Sequence, residues 1–333
     1  MAGVPFLGSR AQQGFIAAST IAAIVVLAMI SITFGFVSRY LPSFGPCAKR
    51  TLPCYLALFI YAGLFELLMA FDALRLRNVI QLLGIVFFHT GMIVFAAIQV
   101  HETRSSLSDR VQILHRVEPF VIVTPCIISA SLLFLIWFGY QLYYEFGWAV
   151  FRVVGANPVM KTMFRYYQIM VCLLKFDFFM FTGMYNRFLR VQLLIIVLST
   201  DSAEFGLTIA AIPVVFVLLI ACGIAVQREI KWLMAISLIL MIAAETYFVF
   251  KLVRFYSPST AAQYATTRAT ITTFTIAAFL LLLISFGIGL RCFADFDKGL
   301  LQPKTVGHSA PGRQSAESKQ EGGEPLEPRM SIE

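Results

Sequence analysis

Long apolar runs separated by short polar stretches dominate the 333-residue chain. A helix crosses the roughly 30 Å hydrocarbon core of a bilayer with about 20 residues, because each residue adds about 1.5 Å. Four runs of this length contain no charged residue, and they cover 15–37, 120–142, 205–226 and 269–290. Three more contain one or two ionisable residues, and they cover 54–74, 79–100 and 232–253. These seven runs each predict one transmembrane helix.

An eighth apolar stretch, 166–199, is interrupted by Lys175, Asp177, Arg187 and Arg190. It fits either one tilted helix or a helix followed by an interfacial segment. Barrel strands would show alternating segments of about ten residues, which are absent. We therefore predict an all-α, polytopic transmembrane helical bundle of about eight spans, with seven spans as the alternative. A short interfacial helix is also predicted within 143–165, before a turn at 155–158.

The chain divides by composition into three parts. Residues 1–14 form a short N-terminal segment, residues 15–297 the transmembrane domain, and residues 298–333 a tail rich in Pro, Gly, Ser, Gln and Glu. Such a tail cannot bury enough apolar surface to offset its ordering entropy, so we predict a disordered cytosolic tail. With eight spans, eleven Lys and Arg lie on one side and nine on the other, which favours cytosolic termini.

Composition agrees with a membrane protein. Hydrophobic residues make up 59% of the chain and charged residues 13%, whereas soluble domains carry about 25% charged residues. The net charge of +8 comes from Lys and Arg at the ends of apolar runs, where they meet lipid headgroups. Membrane lipids are therefore the expected partners, and nucleic acid is not. Assembly with a second copy or with other membrane proteins stays open.

The six cysteines do not form a disulfide scaffold. Cys126, Cys172 and Cys222 lie within apolar runs, as small packing residues do. Cys47 and Cys54 bracket a short loop. They predict a disulfide if that loop faces an oxidising lumen, and free thiols otherwise.

Ionisable residues inside apolar runs are the candidates for function, because a charge at the centre of a span costs about 2.5–3.5 kcal/mol on insertion scales. Asp72 lies near the end of its run and is expected to pair with Arg75. The interior candidates are Glu66, His89, Lys175, Asp177 and Glu245.

Each candidate has a functional and a structural interpretation. Glu66 and Glu245 lack a local cation, so they favour the neutral form and belong either to a proton-coupled site or to an interhelical hydrogen bond. Lys175 and Asp177 point about 200° apart on a helix and need separate partners. Lys175 either pairs with Glu66 or Glu245 or extends to the interface. His89 is interpreted as a packing group rather than a ligand.

No motif predicts catalysis, a metal or a cofactor. The four histidines lack close ligand spacing, and there is no nucleophile elbow, P-loop or dinucleotide fingerprint. The one group that could serve an enzyme is His101, Glu102, Asp109 and His115, which share the polar loop 101–118. We therefore do not expect an enzyme.

Several stretches resemble an uncharacterised family of fungal multi-pass membrane proteins of the Golgi apparatus. The most specific is LLKFDFF at 173–179, and the likeness covers about 54–256. The other matching stretches are 77–82, 146–148, 155–158, 167–168, 201–205 and 247–254. The resemblance implies a Golgi or neighbouring secretory-pathway location and a polytopic helical fold. It implies no activity, but it makes Gln81, Lys175 and Asp177 worth testing.

Our leading hypothesis is a non-enzymatic membrane protein with solute transport or membrane organisation as its task. A transporter needs a polar path at midplane depth, so convergence of Glu66, Lys175, Asp177 and Glu245 would favour transport. A seven-helix receptor-like protein is the alternative, although the last span has no lysine for retinal. A lipid-modifying membrane enzyme is the third hypothesis.

Overall fold

The structure is a computed structural model that describes residues 8–40, 48–106, 111–154, 158–196, 202–256 and 268–296, together with Lys298. Every regular element in these ranges is an α-helix. The all-helical class predicted from run length is thus confirmed for the described part of the chain. The helices are α1 Arg10–Tyr40, α2 Ala48–Leu76, α3 Val79–Ser106, α4 Val111–Val154, α5 Pro158–Ile196, α6 Ser202–Arg228, α7 Lys231–Phe255 and α8 Arg268–Ala294.

Several helices are long and apolar enough to cross a bilayer. By length and composition the described residues contain five such segments: Arg10–Phe36, Val79–His101, Val117–Gly147, Lys231–Val253 and Thr272–Ala294. A shorter apolar segment, Pro213–Arg228, lies in α6. Helices α2 and α5 carry ionisable residues within their apolar runs, among them Glu66 and Asp72 in α2 and Lys175 and Asp177 in α5. The chain is therefore a multi-pass membrane protein.

The outer surface of the bundle is apolar. Phe87 on α3 is 70% exposed, and Leu133 on α4 and Val253 on α7 are each 69% exposed. A soluble monomer rarely exposes large contiguous apolar patches, but a bilayer solvates them. These side chains therefore face lipid.

The helices form two groups of four. In the N-terminal half, α1–α4, helix α1 packs on α2 and α4, and α3 packs on the same two helices. In the C-terminal half, α5–α8, helix α8 packs on α5 and α7, and α6 packs on the same two helices. Helix α5 also contacts α2 and α3, where Cys172 and Phe179 complete the core of the N-terminal half. Helix α5 is thus the main connection between the halves.

Two glycines permit close helix contact. A Cβ on Gly84 of α3 would lie 2.7 Å from the Phe176 ring and 2.9 Å from the Cys172 sulfur of α5. A Cβ on Gly289 of α8 would lie 3.0 Å from the Leu238 side chain of α7. Small residues at both positions let the backbones approach, as is usual for packed membrane helices.

Helix α4 is longer than its predicted span. A separate interfacial helix was expected within 143–165, but α4 continues without interruption to Val154. Residues 143–154 contain no proline, and Gly147 does not end the helix. Pro119 and Pro125 also lie inside α4. Its 44 residues extend about 66 Å, so α4 projects well beyond a hydrocarbon core of about 30 Å.

Some predictions concern residues outside the described part. Residues 1–7 and all of the tail except Lys298 are outside it, so the boundaries of the three parts stay a prediction. Cys47 is also outside it, and the side chain of Cys54 is not described. The disulfide prediction is therefore untested.

Candidate functional site

A tight turn between α2 and α3 sets the geometry of the site. Arg77 ends α2 with a left-handed backbone (φ 48°), and the Asn78 amide donates back to the Ala73 carbonyl at 3.0 Å. The Asn78 side chain then caps α3 by accepting from the amides of Ile80 at 3.0 Å and Gln81 at 3.3 Å. The turn makes α2 and α3 antiparallel neighbours, so polar residues on the two helices can meet.

A buried polar group lies where α2, α3 and α4 meet, and we call Glu66, His89 and Ser131 the midspan cluster. His89 Nδ1 lies 2.9 and 3.0 Å from the two carboxylate oxygens of Glu66. His89 Nε2 lies 2.8 Å from Ser131 Oγ and 3.0 Å from the Ile128 carbonyl oxygen. All three cluster side chains are buried.

The midspan cluster lies at the centre of the spans. His89 is ten residues after the first residue of the span Val79–His101 and twelve before its last. Ser131 is likewise fourteen and sixteen residues from the ends of Val117–Gly147. Each residue rises about 1.5 Å, so both side chains sit near the middle of the hydrocarbon core.

The hydrogen bonds assign the protons of this cluster. The Ile128 carbonyl only accepts, and Ser131 Oγ donates its own hydrogen to that carbonyl at 2.8 Å. The hydrogen between His89 and Ser131 must then be on Nε2. Nδ1 therefore either accepts from a protonated Glu66 or donates to an ionised Glu66. Both states hold one proton between the imidazole and the carboxyl group.

Aromatic rings cover a second side of the α2–α3 pair. Phe65 and Phe88 directly precede Glu66 and His89 and face α5, where they pack on Phe179 with ring centroids 4.7 and 4.8 Å away. Adjacent residues point about 100° apart on a helix. The polar side chains thus turn toward α4 and the aromatic ones toward α5.

A second polar group joins α2, α3 and α5, and we call Asp72, Gln81 and Lys175 the junction cluster. The Lys175 ammonium donates to Asp72 Oδ2 and, at 3.0 Å, to Gln81 Oε1. The Gln81 amide nitrogen donates to Asp72 Oδ2 at 2.9 Å and to the Met69 carbonyl at 3.0 Å. The side chains of Lys175 and Asp72 are about one third exposed, at 30% and 37%.

The partners in the junction cluster differ from those expected. Asp72 binds Lys175 on α5 rather than Arg75 on its own helix. Lys175 therefore pairs with neither Glu66 nor Glu245. The cluster lies close to the start of α3, eight residues or about 12 Å from His89, so it sits nearer the membrane interface than the midspan cluster.

The other two candidates lie in the C-terminal half. Asp177 is 1% exposed and accepts a 2.5 Å hydrogen bond from Ser285 Oγ of α8 on its Oδ2 oxygen. Its Oδ1 oxygen has no hydrogen-bond partner among the described residues. Glu245 on α7 is half-buried, and its Oε1 oxygen likewise lacks a partner in the described part. Neither residue is linked to the midspan cluster by a hydrogen bond or ion pair there.

The histidine group that could serve an enzyme is not assembled in the described residues. His101 and His115 are both exposed, Asp109 is outside the described part, and the Glu102 side chain is not described. Among the described residues no group of three or more His, Cys, Asp or Glu side chains could hold a metal ion.

Two residues of the site, Ser131 and Ser285, had not been singled out from the sequence. A hydroxyl in a helix usually bonds the carbonyl four residues earlier, as Ser129 does with Pro125 at 2.8 Å. Ser131 donates to the Ile128 carbonyl of its own helix and also meets His89 of α3, and Ser285 donates to Asp177 of α5. Nothing in their sequence context distinguishes them from Ser129, so packing alone reveals their role.

Comparison with known proteins gives a relative that covers three quarters of the chain. The chain is 28% identical over 278 residues to a UPF0658 Golgi apparatus membrane protein of Schizosaccharomyces pombe. The match covers 75% of this chain and 77% of the relative. No family model and no solved structure matches the chain. The resemblance to an uncharacterised fungal family of Golgi apparatus membrane proteins is thereby confirmed.

Proposed function

We propose that this chain is a non-enzymatic membrane protein of the Golgi or a neighbouring secretory-pathway membrane that couples proton movement to transport of a small solute. The midspan cluster carries the proposal, because it holds one transferable proton between Glu66 and His89 at the centre of the bilayer. Intramembrane carboxylates and histidines are costly to insert and form the proton relays of many pumps and transporters. The similarity to a Golgi apparatus membrane protein supports the proposed location.

The hydrogen bonds of the midspan cluster allow the shared proton two positions. In one state His89 is neutral and Glu66 protonated; in the other they form an imidazolium–carboxylate pair. Solute binding nearby changes the local field and hence the balance between these states. A change of helix packing that separates Glu66 from His89 releases the proton toward one side. Coupling requires that solute binding and proton position each favour the same arrangement of the helices.

We further propose that all eight helices cross the membrane and that both termini are cytosolic. An even number of crossings puts the termini on the same side, and the excess of Lys and Arg on that side makes it the cytosol. An epitope tag at either end should be digested by protease added to sealed Golgi vesicles. Protection of only one tag would indicate seven crossings and the receptor-like alternative.

The transport proposal is tested with purified full-length protein in liposomes that contain a pH-sensitive dye. A panel of amino acids, sugars, nucleotides and divalent cations is added outside. At least one solute should change the internal pH with the natural protein. Glu66→Gln and His89→Gln preserve hydrogen-bonding groups but cannot share the proton, so both variants should lose this response.

Glu118→Gln is the matched control for the transport experiment. Glu118 is a carboxylate of the same half, but its side chain is 31% exposed and pairs with Arg104 at 2.6 Å near the helix ends. Its variant should keep the pH response. Absence of a response to every solute, or a full response in Glu66→Gln, contradicts proton coupling.

Membrane organisation is the second candidate function. It is favoured by one observation: no hydrogen bond or ion pair connects the midspan cluster to Asp177 or Glu245 in the described residues, so the candidates do not converge on one path. In this case the polar pairs fix helix register. The Glu66→Gln variant would then lower stability without any change in proton flux.

A further inference from the structure

A lipid-facing groove separates part of α3 from α4 and α5. Its cavity volume is about 860 Å³. Apolar residues form most of its wall, among them Leu83 and Val86 of α3 and Ile136 of α4. Gly139 and Gly147 of α4 also line it and add no side chain to fill the space. This groove shares no residue with the midspan cluster or with the junction cluster.

One wall of the groove is cationic. Lys161, Arg165 and Gln168 follow one another at spacings of four and three residues on α5, so they lie on one helix face. Within the described part of the chain, Lys161 and Arg165 have no carboxylate or hydrogen-bond partner. Two cations thus lie beside an apolar trough without an anionic partner among the described residues.

Tyrosines form the opposite wall. Tyr140, Tyr143 and Tyr144 of α4 line the groove, and the hydroxyls of Tyr140 and Tyr144 lie 2.8 Å apart. Tyrosine is enriched at the membrane–water interface, where its ring meets acyl chains and its hydroxyl meets headgroups. Lys161 and Arg165 precede the apolar part of α5. They therefore lie at the same depth in the membrane as these tyrosines.

We infer that this groove binds an anionic phospholipid, with an acyl chain in the apolar trough and the phosphate group against Lys161 and Arg165. Charge complementarity supports this occupant, because no described residue gives the two cations an anion and an acyl chain matches the apolar wall. A polar solute would leave the apolar wall uncovered. A helix from a second copy would need acidic side chains beside the two cations. The inference is independent of the proposed transport.

The test compares lipids retained by the full-length protein. Detergent-purified protein is mixed with equal amounts of phosphatidylserine and phosphatidylcholine, and bound lipid is counted by native mass spectrometry. The natural protein should retain phosphatidylserine preferentially. The double variant Lys161→Gln/Arg165→Gln should reduce that preference by about thirtyfold, because each of the two cations strengthens the binding of an anionic headgroup by about 1 kcal/mol.

Two further variants separate charge from shape. Leu83→Trp adds bulk to the trough at a side chain that is already 57% exposed, so folding is preserved and retention of both lipids should fall. Arg10→Gln/Arg228→Gln removes two cations that do not line the groove and should retain phosphatidylserine like the natural protein. Gel filtration and helical circular dichroism verify that each variant is folded.

Four outcomes overturn the inference. The first is equal retention of the two lipids by the natural protein, and the second is unchanged phosphatidylserine retention in Lys161→Gln/Arg165→Gln. The third is displacement of the lipid by millimolar inorganic phosphate, which would indicate an anion site without an acyl chain. The fourth is a dimer mass that Leu83→Trp converts to a monomer mass, which would assign the groove to a second copy.

Discussion

The two halves of the molecule satisfy their buried carboxyl groups differently. In the N-terminal half both oxygens of Glu66 lie within 3.0 Å of His89 Nδ1, and the other imidazole nitrogen is bonded to α4. In the C-terminal half Asp177 keeps one unpartnered oxygen, as does Glu245, among the described residues. The apolar core of the second half, around Met170 and Met234, does most of the packing.

This difference indicates separate means of fixing helix register. A buried polar group that makes all its bonds tolerates only one alignment of its helices. The N-terminal half has such a group at midspan, so its helices cannot slide without breaking it. Methionine side chains adapt to small shifts, so a core rich in them tolerates some sliding. We therefore expect the C-terminal half to be the more easily rearranged one.

The largest expected effect tests the polar pairing directly. Glu66→Ala leaves His89 buried without its partner, and such a loss costs about 3–5 kcal/mol. The free energy of unfolding, measured with denaturant in detergent, should fall by that amount. Glu118→Ala, at an exposed ion pair, should change it by less than about 1 kcal/mol. Equal losses in the two variants would contradict the claim that the midspan pair stabilises the half.

The next effect concerns the contact between the halves. Gly84→Ala places a Cβ 2.7 Å from the Phe176 ring, and overpacking of this kind costs about 1–3 kcal/mol. Gly91→Ala, on the same helix, is the matched control because nothing lies within 4 Å of its added Cβ. Thermal unfolding in detergent should show a lower midpoint for Gly84→Ala than for Gly91→Ala. A reversed order would mean that α3 and α5 do not approach closely at this position.

These contacts show which features the sequence could predict. Span positions depend on local hydropathy, so the apolar runs correspond to helices, including the charged stretch that became α5. The identity of a partner depends on distant packing. Asp72 was expected to pair with Arg75 on its own helix but meets Lys175, 103 residues away. The turn at Arg77 could not have indicated this, because it fixes the α2–α3 pairing but not the position of α5.

A smaller effect should come from the junction cluster. Its charged side chains are about one third exposed, so the Asp72–Lys175 pair contributes about 0.5–1 kcal/mol. A double-mutant cycle with Asp72→Asn and Lys175→Met should give a coupling energy of this size. Raising the salt concentration should reduce it, since exposed pairs are screened. A coupling energy as large as the loss of stability in Glu66→Ala would contradict this order, because the junction cluster would then stabilise the protein as much as the midspan cluster.

The smallest effect probes packing in the C-terminal half, at two glycines of α8. Nothing lies within 4 Å of a Cβ added at Gly287, so Gly287→Ala should raise the free energy of unfolding by about 0.5 kcal/mol through helix propensity. A Cβ at Gly289 meets the ends of Leu238 and Met234 at 3.0 and 3.1 Å. Those flexible ends must move, which offsets the gain and leaves Gly289→Ala near neutral. A loss above about 1 kcal/mol at Gly289 would mean that this core is as rigid as the polar one, and the contrast between the halves would then disappear.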